Sequence, residues 1–120
     1  MHNPKILIVE DEINIRMNMR EMLLLEDYHV EVAADGDEGV NAAMQTSFDL
    51  IISDIVMNKM NGFDMCKILR SHAAYAETPV IFITAKSENE LSNVDGLGKI
   101  LYLSKPFTYD SLLAKVSEAL

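Results

Sequence analysis

Three uninterrupted apolar runs limit what this chain can fold into: KILIV at residues 5–9, DLIIS at residues 49–53 and VIFIT at residues 80–84. Their interiors hold no polar residue and are rich in β-branched side chains. A strand covered on one face alternates apolar with polar, whereas one covered on both faces reads as a continuous run of this kind. A weaker run, YHVEVA at residues 28–33, does alternate, as an edge strand covered on one side would, and ILYL at residues 100–103 makes a fifth.

Helical periodicity fills the gaps. Ile15, Met19, Met22 and Leu23 form an apolar stripe after Asp11, which is placed to cap the first amides. Val40, Ala43 and Met44 repeat the pattern after Asp35-Gly36, as do Met65, Ile68, Leu69 and His72 after Gly62. Leu91, Val94 and Leu97 mark a fourth helix, interrupted by Gly96 and Gly98, and Leu112, Leu113 and Val116 mark a fifth. Five strands alternating with five helices imply βαβ units, a parallel sheet and helices on both faces, an α/β doubly wound architecture.

The 120 residues suit one domain over 1–120, with no repeat, low-complexity stretch or linker. A hydrophobic fraction of 49% excludes a disordered chain, and the net charge of −9 repels a phosphate backbone, so no direct nucleic-acid contact is expected. Cys66, the one cysteine, can form no internal bridge, which suits a cytoplasmic location. The N-terminus turns acidic after one short apolar run, and no run approaches membrane-spanning length.

In a doubly wound sheet the site lies beyond the carboxyl ends of the strands. Glu10 and Asp11, Asp54, Thr84, and Ser104 with Lys105 stand at those ends. Converging carboxylates repel one another unless a cation sits among them, and hard oxygen donors favour Mg²⁺. A carboxylate can attack phosphorus, and phosphoryl transfer asks mainly for positioning and charge neutralisation.

ILIVEDE (residues 6–12), DLIISDIVM (49–57), VIFITAK (80–86) and YLSKPF (102–107), in this order and at these separations, resemble the receiver domain of bacterial two-component response regulators, in particular the chemotaxis type. The resemblance implies a flavodoxin-like, three-layer (βα)5 fold with strand order 2-1-3-4-5. It implies that Asp54 is the phosphoacceptor and that Glu10, Asp11, Asp54 and the backbone carbonyl of Val56 hold Mg²⁺ or Mn²⁺. Thr84 matches the hydroxyl residue that turns to the phosphoryl group, Lys105 the lysine that pairs with it, and Tyr102 the aromatic that swings inward on activation. The implied function is a phosphorylation-activated switch that catalyses its own modification. The implied partners are a sensor histidine kinase or histidine phosphotransfer domain, and an output domain or effector at the face of the fourth helix, fifth strand and fifth helix; a homodimer stays possible. The alternative is a pseudo-receiver, a phosphorylation-independent interaction module.

Other functions fit less well. A flavodoxin-like mononucleotide carrier wants a Ser/Thr/Gly loop after the first strand, not Glu10-Asp11-Glu12, and an aspartyl-phosphate phosphatase wants an acid where Val56 stands. His2, His29 and His72 lack ligand spacing, and Cys66 and the eight methionines read as core filler. Departures from the family pattern have consequences. Asn58-Lys59-Met60-Asn61-Gly62 replaces Pro-Gly-x-Asp-Gly. Ile100 and Leu101 replace two acids, which predicts apolar contact in place of charged dimer contacts. Val56 cannot orient water and Lys86 could screen the phosphate, which predicts slow loss of the phosphoryl group.

Overall fold

The computed structural model describes residues 3–85 and 97–120. The five apolar runs form β1 (Lys5–Val9), β2 (His29–Ala33), β3 (Leu50–Asp54), β4 (Val80–Thr84) and β5 (Ile100–Ser104). They make one parallel sheet in the order β2-β1-β3-β4-β5, the order the resemblance implies. Among the described residues the helices are α1 (Ile13–Leu25), α2 (Gly36–Gln45), α3 (Gly62–Arg70) and α4 (Tyr109–Ala119), with a 3-10 turn at Ala73–Tyr75. The helix expected around Leu91 and Val94, and Lys86 with its expected screening of the phosphate, lie outside the described residues, as does His2. Among the described residues no helix is long and apolar enough to cross a membrane.

Each continuous apolar strand feeds two cores, because successive side chains leave the sheet on opposite faces. Leu7, Val9, Ile51 and Phe82 pack with Ala43, Met65, Cys66 and Leu69 of α2 and α3. Ile6, Ile8, Ile52 and Ile83 pack with Met19 and Leu23 of α1 and with Leu112 and Val116 of α4. Burying each such side chain contributes about 1.5–3 kcal/mol, so the two layers of helices are held independently against one sheet.

The edge position of β2 explains its alternation, with His29 and Glu31 exposed between half-buried valines. Several expectations need correction. The cap of α1 is Glu12, not Asp11: the helix starts at Ile13, and Glu12, in extended conformation, accepts from the Ile15 amide at 2.8 Å. Met44 and Ile68 are exposed, and His72 lies past the end of α3; the buried stripes run instead through Gly39 and Ala43, and through Met65, Cys66 and Leu69. The buried arc on these short helices is narrow, so a residue one position off it already faces water. The methionines divide: Met19 and Met65 are fully buried, whereas Met17 and Met44 are exposed. Ile100 and Leu101 are both half-buried, so neither is withdrawn from the surface.

Candidate active site

Hydrogen bonding carries the β1 ladder one residue beyond the strand, the Glu10 amide donating to the Ala33 carbonyl at 3.1 Å. This places Glu10 and Asp11 beside the end of β3, where Asp54 is paired in register with Ile83 of β4. One carboxylate oxygen from each of Glu10, Asp11 and Asp54 lies within 4.8 Å of the others. Lys105, which follows β5, donates to Asp54 Oδ2 at 2.7 Å and lies 3.4 Å from Glu10 Oε1. The Lys105–Pro106 peptide bond is cis, and the Lys105 amide donates to the Thr84 carbonyl at 2.8 Å. Thr84 is buried at the end of β4. The sheet edge therefore gathers Glu10, Asp11, Asp54, Thr84 and Lys105 from four strand ends.

Glu10 is fully buried, with its Oε2 accepting from the Glu12 amide at 2.9 Å. Burial pushes its carboxyl up to about 7; the Asp54 charge adds to this, while the Glu12 amide and the Lys105 ammonium oppose it. Burial works against the Lys105 ammonium, but the hydrogen bond and charge of Asp54, together with Glu10, outweigh it and raise its pKa. Glu10 Oε1 has no hydrogen-bond partner among the described residues. A buried carboxylate oxygen with no hydrogen bond among the described residues, approached there only by the Lys105 ammonium at 3.4 Å, within a set of hard oxygen donors fits a small divalent cation, and the chemistry of the donor set favours Mg²⁺ or Mn²⁺ over softer metals.

The turn after β3 is tightly fitted. Gly62 donates to the Ile55 carbonyl at 2.8 Å, and a Cβ at Gly62 would overlap the Asp54 carbonyl oxygen. Ser53, fully buried, donates through Oγ to the same Asp54 carbonyl at 2.7 Å. Val56 is 77% exposed, the most open large apolar side chain among the described residues, and its backbone lies two residues beyond Asp54. Tyr102 is half-buried in β5, in register with Phe82, the ring centroids 6.1 Å apart. Phe82 in turn meets Phe63 edge-on at 4.9 Å, so a row of rings runs from β5 to the first turn of α3.

Sequence reasoning missed Arg16, whose Nη1 donates to the Glu10 carbonyl at 2.9 Å, and the Ser53 hydroxyl. Arg16 follows Ile15 on the border of the apolar stripe of α1, the one signal that pointed back towards β1. Beside the acids lies an apolar groove of about 530 Å³ lined by Ile15, Asn18, Met22, Ala85, Lys105, Pro106 and Phe107. It shares Lys105 with the acidic site but contains none of its carboxylates.

The fold has known counterparts. The family model for the response regulator receiver domain matches residues 6–117. The response regulator ArlR of Staphylococcus aureus is 39% identical over 114 residues, which cover 93% of this chain and 50% of ArlR. The chain spans about half the length of the curated relatives it matches. Among solved structures, chemotaxis protein CheY4 of Vibrio cholerae superposes with a TM-score of 0.94 at 35% identity, covering 99% of this chain and 100% of CheY4. Response regulator TrrA of Thermotoga maritima, solved in complex with Mg²⁺-BeF, gives a TM-score of 0.85 at 30% identity over 98% of this chain and 99% of TrrA. A match over nearly the whole chain, on a sheet whose strand ends bring three acids and a lysine together, makes this chain a member of the response regulator receiver domain family.

Proposed function

We propose that the chain is the phosphorylation-controlled switch of a two-component system, with Asp54 as phosphoacceptor. The observation that carries this is the convergence of Glu10, Asp11 and Asp54 within 4.8 Å, with Lys105 at 2.7 Å from Asp54. An Asp54 carboxylate oxygen attacks the phosphorus of a phosphohistidine on a sensor kinase or phosphotransfer domain. The phosphorus–nitrogen bond breaks, and the electron pair stays on the donor imidazole, which takes up a proton. Glu10, Asp11, Asp54 and the Val56 carbonyl are the residues that would hold Mg²⁺ or Mn²⁺, as the Mg²⁺-BeF complex of TrrA encourages. Such an ion neutralises charge between the acids and the incoming phosphoryl group.

Lys105 orients Asp54 before reaction and offsets the charge of the phosphoryl group afterwards. Thr84, buried at the neighbouring strand end, supplies a hydroxyl to that group, and Tyr102 follows it inward along the row of rings. The result is a population shift at the face containing β5 and α4, read by an output domain or effector. The complete acid set counts against a phosphorylation-independent module.

Incubation with Mg²⁺ and acetyl phosphate tests the proposal by mass spectrometry. Wild-type protein gains one phosphoryl group; Asp54→Asn, or wild type with excess chelator, gains none. A wild-type protein that stays unmodified refutes it.

A further inference from the structure

The turn between β3 and α3 holds a residue in a conformation that the phosphoryl chemistry does not explain. Lys59 has a φ of 68°, in the left-handed region where a Cβ is disfavoured and glycine sits freely. Its side chain is largely exposed, yet its Nζ lies 3.5 Å from Asp35 Oδ2 on another element. Asp35 is a fixed target, because it is nearly buried and its Oδ1 caps α2 by accepting from the Glu38 amide at 2.9 Å. Next to this ion pair Met60 lies against Gly36 so closely that a Cβ there would come within 2.8 Å of the Met60 Cβ. One ionic and one steric contact therefore tie the middle of the turn to the start of α2.

An exposed ion pair adds little to stability, so stability does not account for a lysine kept in a strained backbone. Position does: strained residues persist where neighbours hold them for a purpose. The ends of the turn are already held, by Gly62 on Ile55 and by the Asn61 side chain on the Asp64 amide at 2.8 Å. The middle is closed locally by the Met60 amide, which donates to the Asn58 carbonyl at 2.8 Å across Lys59; what the Lys59–Asp35 pair adds is a tether from that middle, three residues after Val56, to the start of α2.

The geometry points to Lys59 as a positioning residue: its ion pair with Asp35 fixes the turn that carries the Val56 carbonyl, and so sets how tightly the acidic site binds a divalent cation. This rests on the reading of Glu10, Asp11, Asp54 and the Val56 carbonyl as the cation site.

Calorimetric titration of the unphosphorylated chain with Mg²⁺, beside thermal melts without metal, tests it. Lys59→Met and Asp35→Asn, the latter keeping a side-chain cap for α2, each weaken Mg²⁺ binding by about threefold to fivefold. The double variant is no weaker than either single one. Lys59→Arg keeps wild-type affinity. Lys59→Gly separates the position from plain stability: relief of the backbone raises Tm by about 2 °C while Mg²⁺ binds more weakly. Long-range charge alone would instead make Lys59→Met tighten binding and Asp35→Asn loosen it. That opposite pair of signs overturns the inference, as does wild-type affinity in all variants. A wild-type chain that does not bind Mg²⁺ overturns the cation site and this inference together, whereas intact wild-type binding with unaffected variants overturns only the role of Lys59.

Discussion

At the residue scale, Glu10 meets two opposing demands: it is fully buried, and it sits among charges that favour ionisation only in part. An unfolded glutamate titrates near 4.5 and this one near 7, so the folded state holds the extra proton between those values. The stability this contributes is complete below the unfolded value and is lost as pH rises through about 7. Urea unfolding of the metal-free protein is therefore expected to show stability falling over that window relative to Glu10→Gln; parallel pH curves for the two would contradict it. Val56 makes a second residue-scale prediction. Its exposed isopropyl group offers nothing to orient an attacking water, so Val56→Asn should shorten the phosphorylated lifetime by about several-fold, less than the roughly hundredfold of even a weak general base, because an amide orients water without taking its proton. The decay of the phosphorylated fraction in intact-mass spectra measures this, and an unchanged rate refutes it.

At the scale of elements, caps and staples matter more than propensity. α2 begins on Asp35 and α3 on Asn61, both side chains accepting from the third helical amide, while Thr108 and Ser111 form a reciprocal cap at α4. At the far end of the sheet one side chain serves several backbone carbonyls. Arg70, last residue of α3, donates through Nε to the Leu97 carbonyl at 2.6 Å, and through Nη1 to the carbonyls of Tyr75 at 2.6 Å and Thr78 at 2.5 Å. It thus ties α3 to the 3-10 turn and to the approaches of β4 and β5. Arg70→Ala should destabilise by about 3 kcal/mol, because it strands several carbonyls at once. Arg70→Lys should restore little, since an ammonium cannot reproduce the guanidinium fork. Denaturant midpoints decide both. None of this was legible beforehand: a lone arginine at a helix end reads as a solvated charge, and the carbonyls it serves lie up to 29 residues away. The helix faces were legible only in part, for the same reason that Met44 and Ile68 were misplaced. Periodicity gives the direction of a stripe, but the width of the buried arc depends on which neighbour covers it.

Taken whole, the molecule carries a net charge of −9 and concentrates three acids at one sheet edge. A ligand that binds only the folded state stabilises it by about 2.7 kcal/mol at a hundredfold excess over Kd, so Mg²⁺ at that excess should raise Tm by several degrees. Asp11→Asn should abolish most of that rise, as thermal melts with and without the ion would show; an equal rise in the variant would place the ion elsewhere.

Strand positions, the parallel sheet and the strand ends that carry Glu10, Asp54, Thr84 and Lys105 were determined by the chain's own pattern. Continuous apolar runs can be buried on two faces in few other ways, and a residue that ends such a run must emerge at the sheet edge. Tertiary structure alone decided that Glu12 rather than Asp11 caps α1, that Arg16 and Ser53 brace the site, and that Lys59 meets Asp35. Those contacts join residues through directions and distances set by packing, and a linear pattern records neither.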